Sequence, residues 1–590
     1  MLRRLPFGMV LALVVLNLTV EPTLRAQQSS AEVPSITFRT NTRLVLVDVV
    51  VTDKKGQPVT SLKAEDFAVE ENGKKQKVSI LVPPGTAPQV APTPAPAGIL
   101  SNHPEHVGPV GIPTVLLLDA ANSPFKDQAY ARSQMLKYAA EQTKPGRPIA
   151  VVALTDRLHV LQQFTSDPQV LLTAIKNFKP EEQILQPGPG AAPSSIPTDM
   201  FYPGPGPSPG QAGARLLAAQ AEVASFAGLQ VGYNIERRSL LTFEAMRSLG
   251  RMLGGLPGRK NVVWLTANFP FDLIPDDRTI SDAELAADLP SVRQKSLQVN
   301  AAGSVAAEQR VLHTQEIRES EAQLASANIA IYPVDLNGLV GGMEGTASVS
   351  TAHMSDIHGA TLANMAIAQV DSLQASQGTM REVAAETGGK PYMNQNEIKE
   401  GIALSAADDK ASYQLGYYPE NKKWDGKYRN IKVKVAQGDT QIRYRKGYFA
   451  VDPTQTKNQS YEQNVAEALQ VNAPATQISF MAQAKPGDAG KVRVIFLVDA
   501  HTLTAEDASG SKKLNVALYA SIYASNGKNL ATRSLKVDRT FDASTYQQLL
   551  DKGMMVPIDM DVPEGGKELR LAILDNKTGF IGTVRGPLGQ

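Results

Sequence analysis

Residues 114–123 read Thr114-Val115-Leu116-Leu117-Leu118-Asp119-Ala120-Ala121-Asn122-Ser123. The unbroken apolar run predicts a strand buried on both faces of a mainly parallel sheet. It ends in an aspartate, two small residues, an asparagine and a serine. Pro124-Phe125-Lys126-Asp127 then opens a helix, with proline where its missing N–H costs little. A carboxylate, an amide and a hydroxyl thus gather at the carboxyl end of a strand, where open α/β sheets place ligands. Hard divalent cations take oxygen ligands of this kind.

Outward from that strand, the same pattern repeats. Residues 148–154, 261–266 and 328–335 read as further buried strands, and 159–164 as an edge strand. Residues 127–142, 167–178, 239–253 and 397–410 have helical periodicity. In the third of these, Leu240, Phe243, Met246, Leu249 and Met252 share one side. Strands alternating with helices predict an α/β, Rossmann-like module over 113–411, its mainly parallel sheet covered by helices on both faces. Insertions are expected at 180–235, 281–326 and 337–378. The mixed charges of Glu308 to Glu321 read as a solvated helix face.

On either side the chain reads as β. Residues 37–82 alternate and carry the hairpin signal Asn72-Gly73. Residues 412–452 alternate again, and too few strands lie on either side to stand alone. The two stretches are expected to pair into one β-sandwich, with the α/β module inserted between them. Tyr413, Tyr417 and Trp424 either fill its core or form a contact surface. Residues 83–112 are rich in proline and glycine and read as a linker or surface loop, and 453–476 reads as a polar linker with a short helical stretch around Tyr461 to Leu469. Strands separated by turn residues over 477–590 predict a C-terminal β-sandwich.

The 590 residues are ordinary in composition, with 42% hydrophobic and 20% charged side chains. A formal net charge of +1 gives no reason to expect nucleic acid as a partner. The absence of cysteine excludes disulfides, thiolate metal sites and cysteine nucleophiles. Residues 1–26 read as a signal peptide: Arg3 and Arg4, an apolar core from Gly8 to Val20, and small Ala26 at the cleavage position. An uncleaved anchor is the alternative. Export to the periplasm or beyond is expected, with no transmembrane segment after the leader.

Six motif groups stand out together: Leu46-Val47-Asp48-Val49-Val50-Val51-Thr52-Asp53 with Glu65-Asp66-Phe67, Leu117-Leu118-Asp119 with Asn122-Ser123-Pro124-Phe125, and Leu256-Pro257-Gly258-Arg259-Lys260-Asn261-Val262-Val263-Trp264. Ala330-Ile331-Tyr332-Pro333-Val334-Asp335, Tyr413-Gln414-Leu415-Gly416-Tyr417-Tyr418-Pro419 and Arg445-Lys446-Gly447-Tyr448-Phe449 complete the set. As a set they resemble the von Willebrand factor A-related proteins of acidobacteria. The resemblance spans roughly residues 37 to 450. It implies export and a type A fold, and no established activity.

Type A domains commonly hold Mg²⁺ or another divalent cation through an Asp-x-Ser-x-Ser loop, a threonine and a further aspartate. Carried over residue by residue, Asp119 and Ser123 match, and Thr242 is the threonine candidate. Ala121 replaces the first serine. Thr266-Ala267-Asn268 stands where Thr-Asp-Gly is usual. One carboxylate and two hydroxyls remain as metal ligands, with Asn122 and Asn268 as candidate partner-binding groups. Asn122 could also add a carbonyl ligand. The competing reading is that Asp119 and Ser123 hydrogen-bond the loop and cap the next helix.

Other chemistry finds less support. Gly254 to Lys260 precedes a strand and lacks phosphate-loop spacing. No Gly-x-Ser-x-Gly elbow occurs. His353 and His358 do not share a helix face. The expected function is an exported, non-catalytic binding or scaffold protein contacting an unidentified protein through a type A module with a degenerate metal site. A periplasmic hydrolase and a structural part of a surface assembly are the alternatives.

Overall fold

The computed structural model describes residues 44–86, 93–107, 111–141, 147–180, 233–234, 236–270, 314–338, 373, 376–395, 397–452, 454, 461–488 and 490–588. The leader at 1–26, most of the three expected insertions, His353 and His358 lie outside these residues. The fold is mixed α/β, with several sheets. No described helix is long and apolar enough to cross a membrane.

The central sheet has five strands, in the spatial order Ile329–Asp335, Lys260–Thr266, Thr114–Asp119, Ile149–Leu154 and Leu158–Thr165. The first four are parallel, and the last runs antiparallel at the edge. Side chains alternate across the sheet, as pleating demands. Val115 and Leu117 pack with Phe243, Met246, Leu249 and Leu324 on one face. Leu116 and Leu118 pack with Met135, Leu171, Ile398 and Ile402 on the other. Helices Phe125–Glu141, Pro168–Asn177 and Ile398–Asp409 cover the second face. Helices 236–253 and Thr314–Ser326 cover the first. Thr114–Asp119 lies in the middle of the sheet: the chain lays Ile149–Leu154 and then Leu158–Thr165 on one side of it, and crosses to lay Lys260–Thr266 and then Ile329–Asp335 on the other. Asp119 therefore sits at the switch point of the topology.

Two four-stranded sheets flank this module in sequence. One has the order Thr440–Tyr444, Val45–Asp53, Ser412–Tyr417 and Val78–Val82. The other has Gly447–Phe449, Tyr428–Val435, Phe67–Glu71 and Lys74–Gln76. Val47, Val49, Val69, Tyr413, Leu415, Tyr417, Ile431 and Val433 fill one core between them. Tyr413 and Tyr417 are fully buried. Trp424 packs on Tyr448 and beneath the Arg429 guanidinium, so these rings belong to the core. Asn72 and Gly73 both take positive φ, which the tight hairpin turn requires.

Several boundaries differ from the sequence reading. The stretch 83–112 is not a plain linker. Its strand Ile99–Ser101 pairs antiparallel with Phe480–Pro486, at the edge of a C-terminal sheet. Buried Asn102 fixes it there, donating to the carbonyls of Ala475 and Ile478 and accepting from the Phe480 N–H. Proline content marks where a chain cannot be regular, and it hid a three-residue strand. The C-terminal domain accordingly extends beyond 477–590. Nor is 453–476 a free tether. Helix Tyr461–Gln470 packs on the C-terminal sheet, and Thr476 bonds the backbone at Met252 and Gly255. A Cβ on Gly255 would lie 1.8 Å from the Thr476 carbonyl oxygen, which explains a glycine there without any phosphate. Thr314–Ser326, assigned to an insertion, is a core helix with Ile317 and Leu324 buried.

At the amino end of the central strands, charged side chains bury together. Arg259 donates to the Tyr332 hydroxyl at 2.9 Å, the Gly388 carbonyl at 3.0 Å and Asn261 Oδ1 at 3.1 Å. It also pairs with Asp48 of the first flanking strand at 3.5 Å. Tyr332 donates to Asp408 at 2.7 Å, and Asp408 pairs with Arg443. Arg147 and Asn261 hold the neighbouring Asp409. Breaking a buried ion pair from one side strands the other charge. Arg259→Leu is expected to lower stability by about 3–5 kcal/mol, read as a lower urea midpoint. A loss below about 1 kcal/mol would show that the pair is no weld.

Candidate functional site

The carboxyl end of strand Thr114–Asp119 is fully buried. Asp119, Asn122, Ser123 and Thr242 all have almost no exposure. The loop turns tightly: Asn122 N–H donates back to Asp119 Oδ1 at 3.0 Å. Its side-chain amide reaches Asp119 Oδ1 at 3.1 Å, Oδ2 at 2.9 Å and Thr242 Oγ1 at 2.9 Å. The Trp264 indole N–H donates to Asp119 Oδ2 at 2.9 Å. Thr242 donates onward to the Arg238 carbonyl at 2.8 Å. Ser123 Oγ accepts the Ala267 N–H at 3.0 Å, tying this loop to the end of the neighbouring strand. Gln128 on the following helix donates to the carbonyls of Ala120 and Ser123.

Burial pushes the Asp119 carboxyl above its ordinary value, against hydrogen bonds from Asn122, Trp264 and Thr266 that pull it down. The Arg238 guanidinium feels the Asp119 charge, while burial lowers its own pKa. Arg238 Nε and Asn122 Oδ1 are buried without a hydrogen-bond partner.

These residues do not fit a divalent cation as they are placed. A hard cation needs oxygen lone pairs aimed at one point. Here N–H groups occupy the directions in which Asp119 would offer its lone pairs. Trp264 has a donor and no acceptor. Thr242 Oγ1 takes the Asn122 amide, and Ser123 Oγ takes a backbone N–H. Among the described residues, no three His, Cys, Asp or Glu side chains are grouped to hold a metal.

The structure brings Asp119, Asn122, Ser123 and Thr242 together. Their roles differ from those expected. Thr242 lies inside helix 236–253, with its hydroxyl turned to the Arg238 carbonyl one turn back. Asn122 presents its NH₂ to the carboxylate instead of a carbonyl to a ligand, and its burial prevents direct contact with a partner. Asn268 is half-buried, and its backbone N–H and carbonyl meet the Thr266 hydroxyl. Leu240 was expected on the buried side of its helix and is exposed.

Sequence reasoning missed Trp264. The signal was there: an indole N–H in a strand buried on both faces needs an acceptor. Trp264 pairs laterally with Leu117, and Asp119 lies two residues further along the same face. The acceptor is thus diagonal to the ring. A second amide-held carboxylate was also missed. Asp335, at the end of the edge strand Ile329–Asp335, accepts from Asn337 and Gln377. Asn337 also donates to the Ala267 carbonyl at 2.7 Å, linking adjacent strand ends.

No family model and no curated protein matches the chain. Among solved structures it is similar to an aerotolerance-related membrane protein from Bacteroides fragilis NCTC 9343, with 12% identity and a TM-score of 0.21, over 51% of this chain and 100% of that one. It is also similar to a von Willebrand factor type A protein from Catenulispora acidiphila, with 9% identity and a TM-score of 0.21, over 93% of this chain and 74% of that one. An endonuclease/exonuclease/phosphatase from Beutenbergia cavernae DSM 12333 has 9% identity and a TM-score of 0.13, over 31% of this chain and 38% of that one. Likeness this slight carries no argument about the site.

Trp264→Phe keeps an aromatic ring and deletes the donor to Asp119. It is expected to lower stability by about 1–3 kcal/mol, the usual cost of an unmet buried group, measured by chemical denaturation. An unchanged midpoint would mean that the indole bond does not hold the site closed.

Proposed function

We propose that this chain is an exported, non-catalytic protein-interaction module: a type A-like domain carried in a β-sandwich, with a degenerate metal-ion-dependent adhesion site. The supporting observation is a contrast at the carboxyl edge of the central sheet. The charge of Asp119 is answered internally by Asn122, Trp264 and Arg238. On the segments leaving that edge, large apolar side chains face solvent: Phe125 is 50% exposed, Tyr233 62% and Leu240 42%. Phe125 follows Ser123 by two residues, and Leu240 precedes Thr242 by two. Exposed aromatic and leucine side chains near a rigid site suit a protein partner better than a small polar substrate. Contact in this reading is apolar and independent of metal.

The hydrolase reading has one observation in its favour. Ser101 Oγ lies 2.7 Å from His106 Nδ1. The same hydroxyl accepts the His103 N–H at 3.1 Å. Serine and histidine here belong to one short turn, and a local turn bond accounts for both contacts.

The test is capture of envelope proteins on the immobilised chain, followed by cross-linking. The native chain is expected to keep its partner in the presence of a chelator, while Phe125→Glu combined with Leu240→Glu loses it. Millimolar Mg²⁺ or Mn²⁺ is expected to leave the melting temperature unchanged, because a ligand that does not bind the native state cannot stabilise it. Capture that depends on cation, or an ester hydrolysis abolished by Ser101→Ala, would overturn the proposal.

A further inference from the structure

A cavity of ≈ 20 Å³ lies where helix Thr314–Ser326 meets the flanking sheets. Its lining includes Asp48, Glu321, Asn328, Glu386, Tyr428 and Arg445. Three buried polar atoms of these residues have no hydrogen-bond partner: Glu321 Oε1, Asn328 Nδ2 and Arg445 Nε. Arg445 spends its other donors on the joint itself, one to the Ala325 carbonyl on the helix side and one to the Leu46 carbonyl on the sheet side. Two unmet donors and one unmet acceptor are what one water molecule satisfies. It would accept from Asn328 and Arg445 and donate to Glu321. A single water needs roughly 10–15 Å³ and two to four polar partners.

The charges around Glu321 are mostly of its own sign. Helix 376–387 presents Glu386 and Glu382, both of which raise the Glu321 pKa. Glu386 accepts the Tyr428 hydroxyl from strand Tyr428–Val435. Strand Val45–Asp53 presents Asp48, which pairs with Arg259 and feels Lys260. Tyr448 of strand Gly447–Phe449 also lines the cavity, and its hydroxyl accepts from the Arg429 guanidinium at 3.4 Å. Arg318, on the helix that carries Glu321, lies over the Phe449 ring.

We propose that Glu321, Asn328 and Arg445 bind one ordered water at this joint, and that Glu321 carries a proton there at neutral pH. The joint between the helix and the sheets then weakens when that proton leaves. Burial, with Glu386 and Glu382 close by, pushes the Glu321 carboxyl up to about 8. A carboxyl raised in the folded state favours folding fully below its unfolded pKa. Its contribution falls as pH rises from the ordinary value of 4.5 through about 8 and then levels off.

Infrared titration and thermal melts of the full chain test this. The native chain is expected to show a protonated-carboxyl band at pH 6 that fades with a midpoint near 8 and is missing in Glu321→Gln. Glu321→Gln is expected to melt higher than the native chain above pH 8, by a margin that shrinks as pH falls toward about 4. Comparing the two at each pH cancels the opposing titration of Lys260, whose pKa burial lowers to about 7. Should Glu321→Gln fail to fold, Glu386→Gln removes a like charge and is expected to move the band midpoint to lower pH. A band that does not titrate between pH 6 and 9, a pH-independent melting difference, or a midpoint unmoved by Glu386→Gln overturns the proton. A crystal structure at pH 6 with protein atoms filling the space between Asn328 Nδ2 and Arg445 Nε overturns the water.

Discussion

Arg259 is the residue on which the assembly depends. The central module enters and leaves through the same pair of small sheets, because Val45–Asp53 pairs directly with Ser412–Tyr417. Two connections at one end would leave a module free to rock. The guanidinium removes that freedom by bonding Tyr332 and Asn261 of the central sheet, the Gly388 carbonyl, and Asp48 of the flanking sheet. Asp408 repeats the pattern from the other side, taking Tyr332 from the central sheet and Arg443 from the flanking strand. A fully buried guanidinium has few stable surroundings, since desolvation is repaid only where several acceptors converge. That scarcity of alternatives fixes one relative placement of the module and its carrier.

The same rule, that buried charge must be answered, shapes the opposite end of the central strands. Asp119 is as deeply buried as Arg259, and its answer comes from N–H groups instead of a counter-ion in contact. Asn122 supplies three of the bonds, and Trp264 supplies another. Asp335 is treated alike by Asn337 and Gln377. Asn337 and Ser123 each also reach the backbone of Ala267. Three strand ends are thereby laced into one polar layer beneath the surface.

Much of this was legible in the sequence. The apolar runs before Asp119, Leu154 and Thr266 identified buried strands, because no polar residue interrupts them. Asn72-Gly73 marked its hairpin. Asp119, Asn122, Ser123 and Thr242 do meet, since position at a strand end is a local property. What failed was long-range or depended on register. Ile99-Leu100-Ser101 is too short to announce a strand, and its partner lies nearly four hundred residues away. Leu240 fits the apolar side of its helix by spacing, yet is 42% exposed. Glu321 fits a solvated face by composition and instead turns inward. Periodicity gives a side chain's angle around a helix and not what stands opposite.

Trp264 shows how one register relation decides a site's chemistry. Had the residue beside Leu117 been aliphatic, Asp119 Oδ2 would have kept a lone pair free to meet a cation or a water. An indole there aims a donor at the oxygen and cannot serve as a ligand itself. Ala121 and Ala267 withhold two further oxygen side chains on the same edge, and Asn122 turns its amide hydrogens inward. Each replacement removes electron pairs or adds hydrogens where a cation would sit, and all act in one direction. The polar centre becomes part of the fold's own hydrogen bonding. Beside it, Phe125 and Leu240, each two residues from a member of that centre, turn their apolar side chains to solvent.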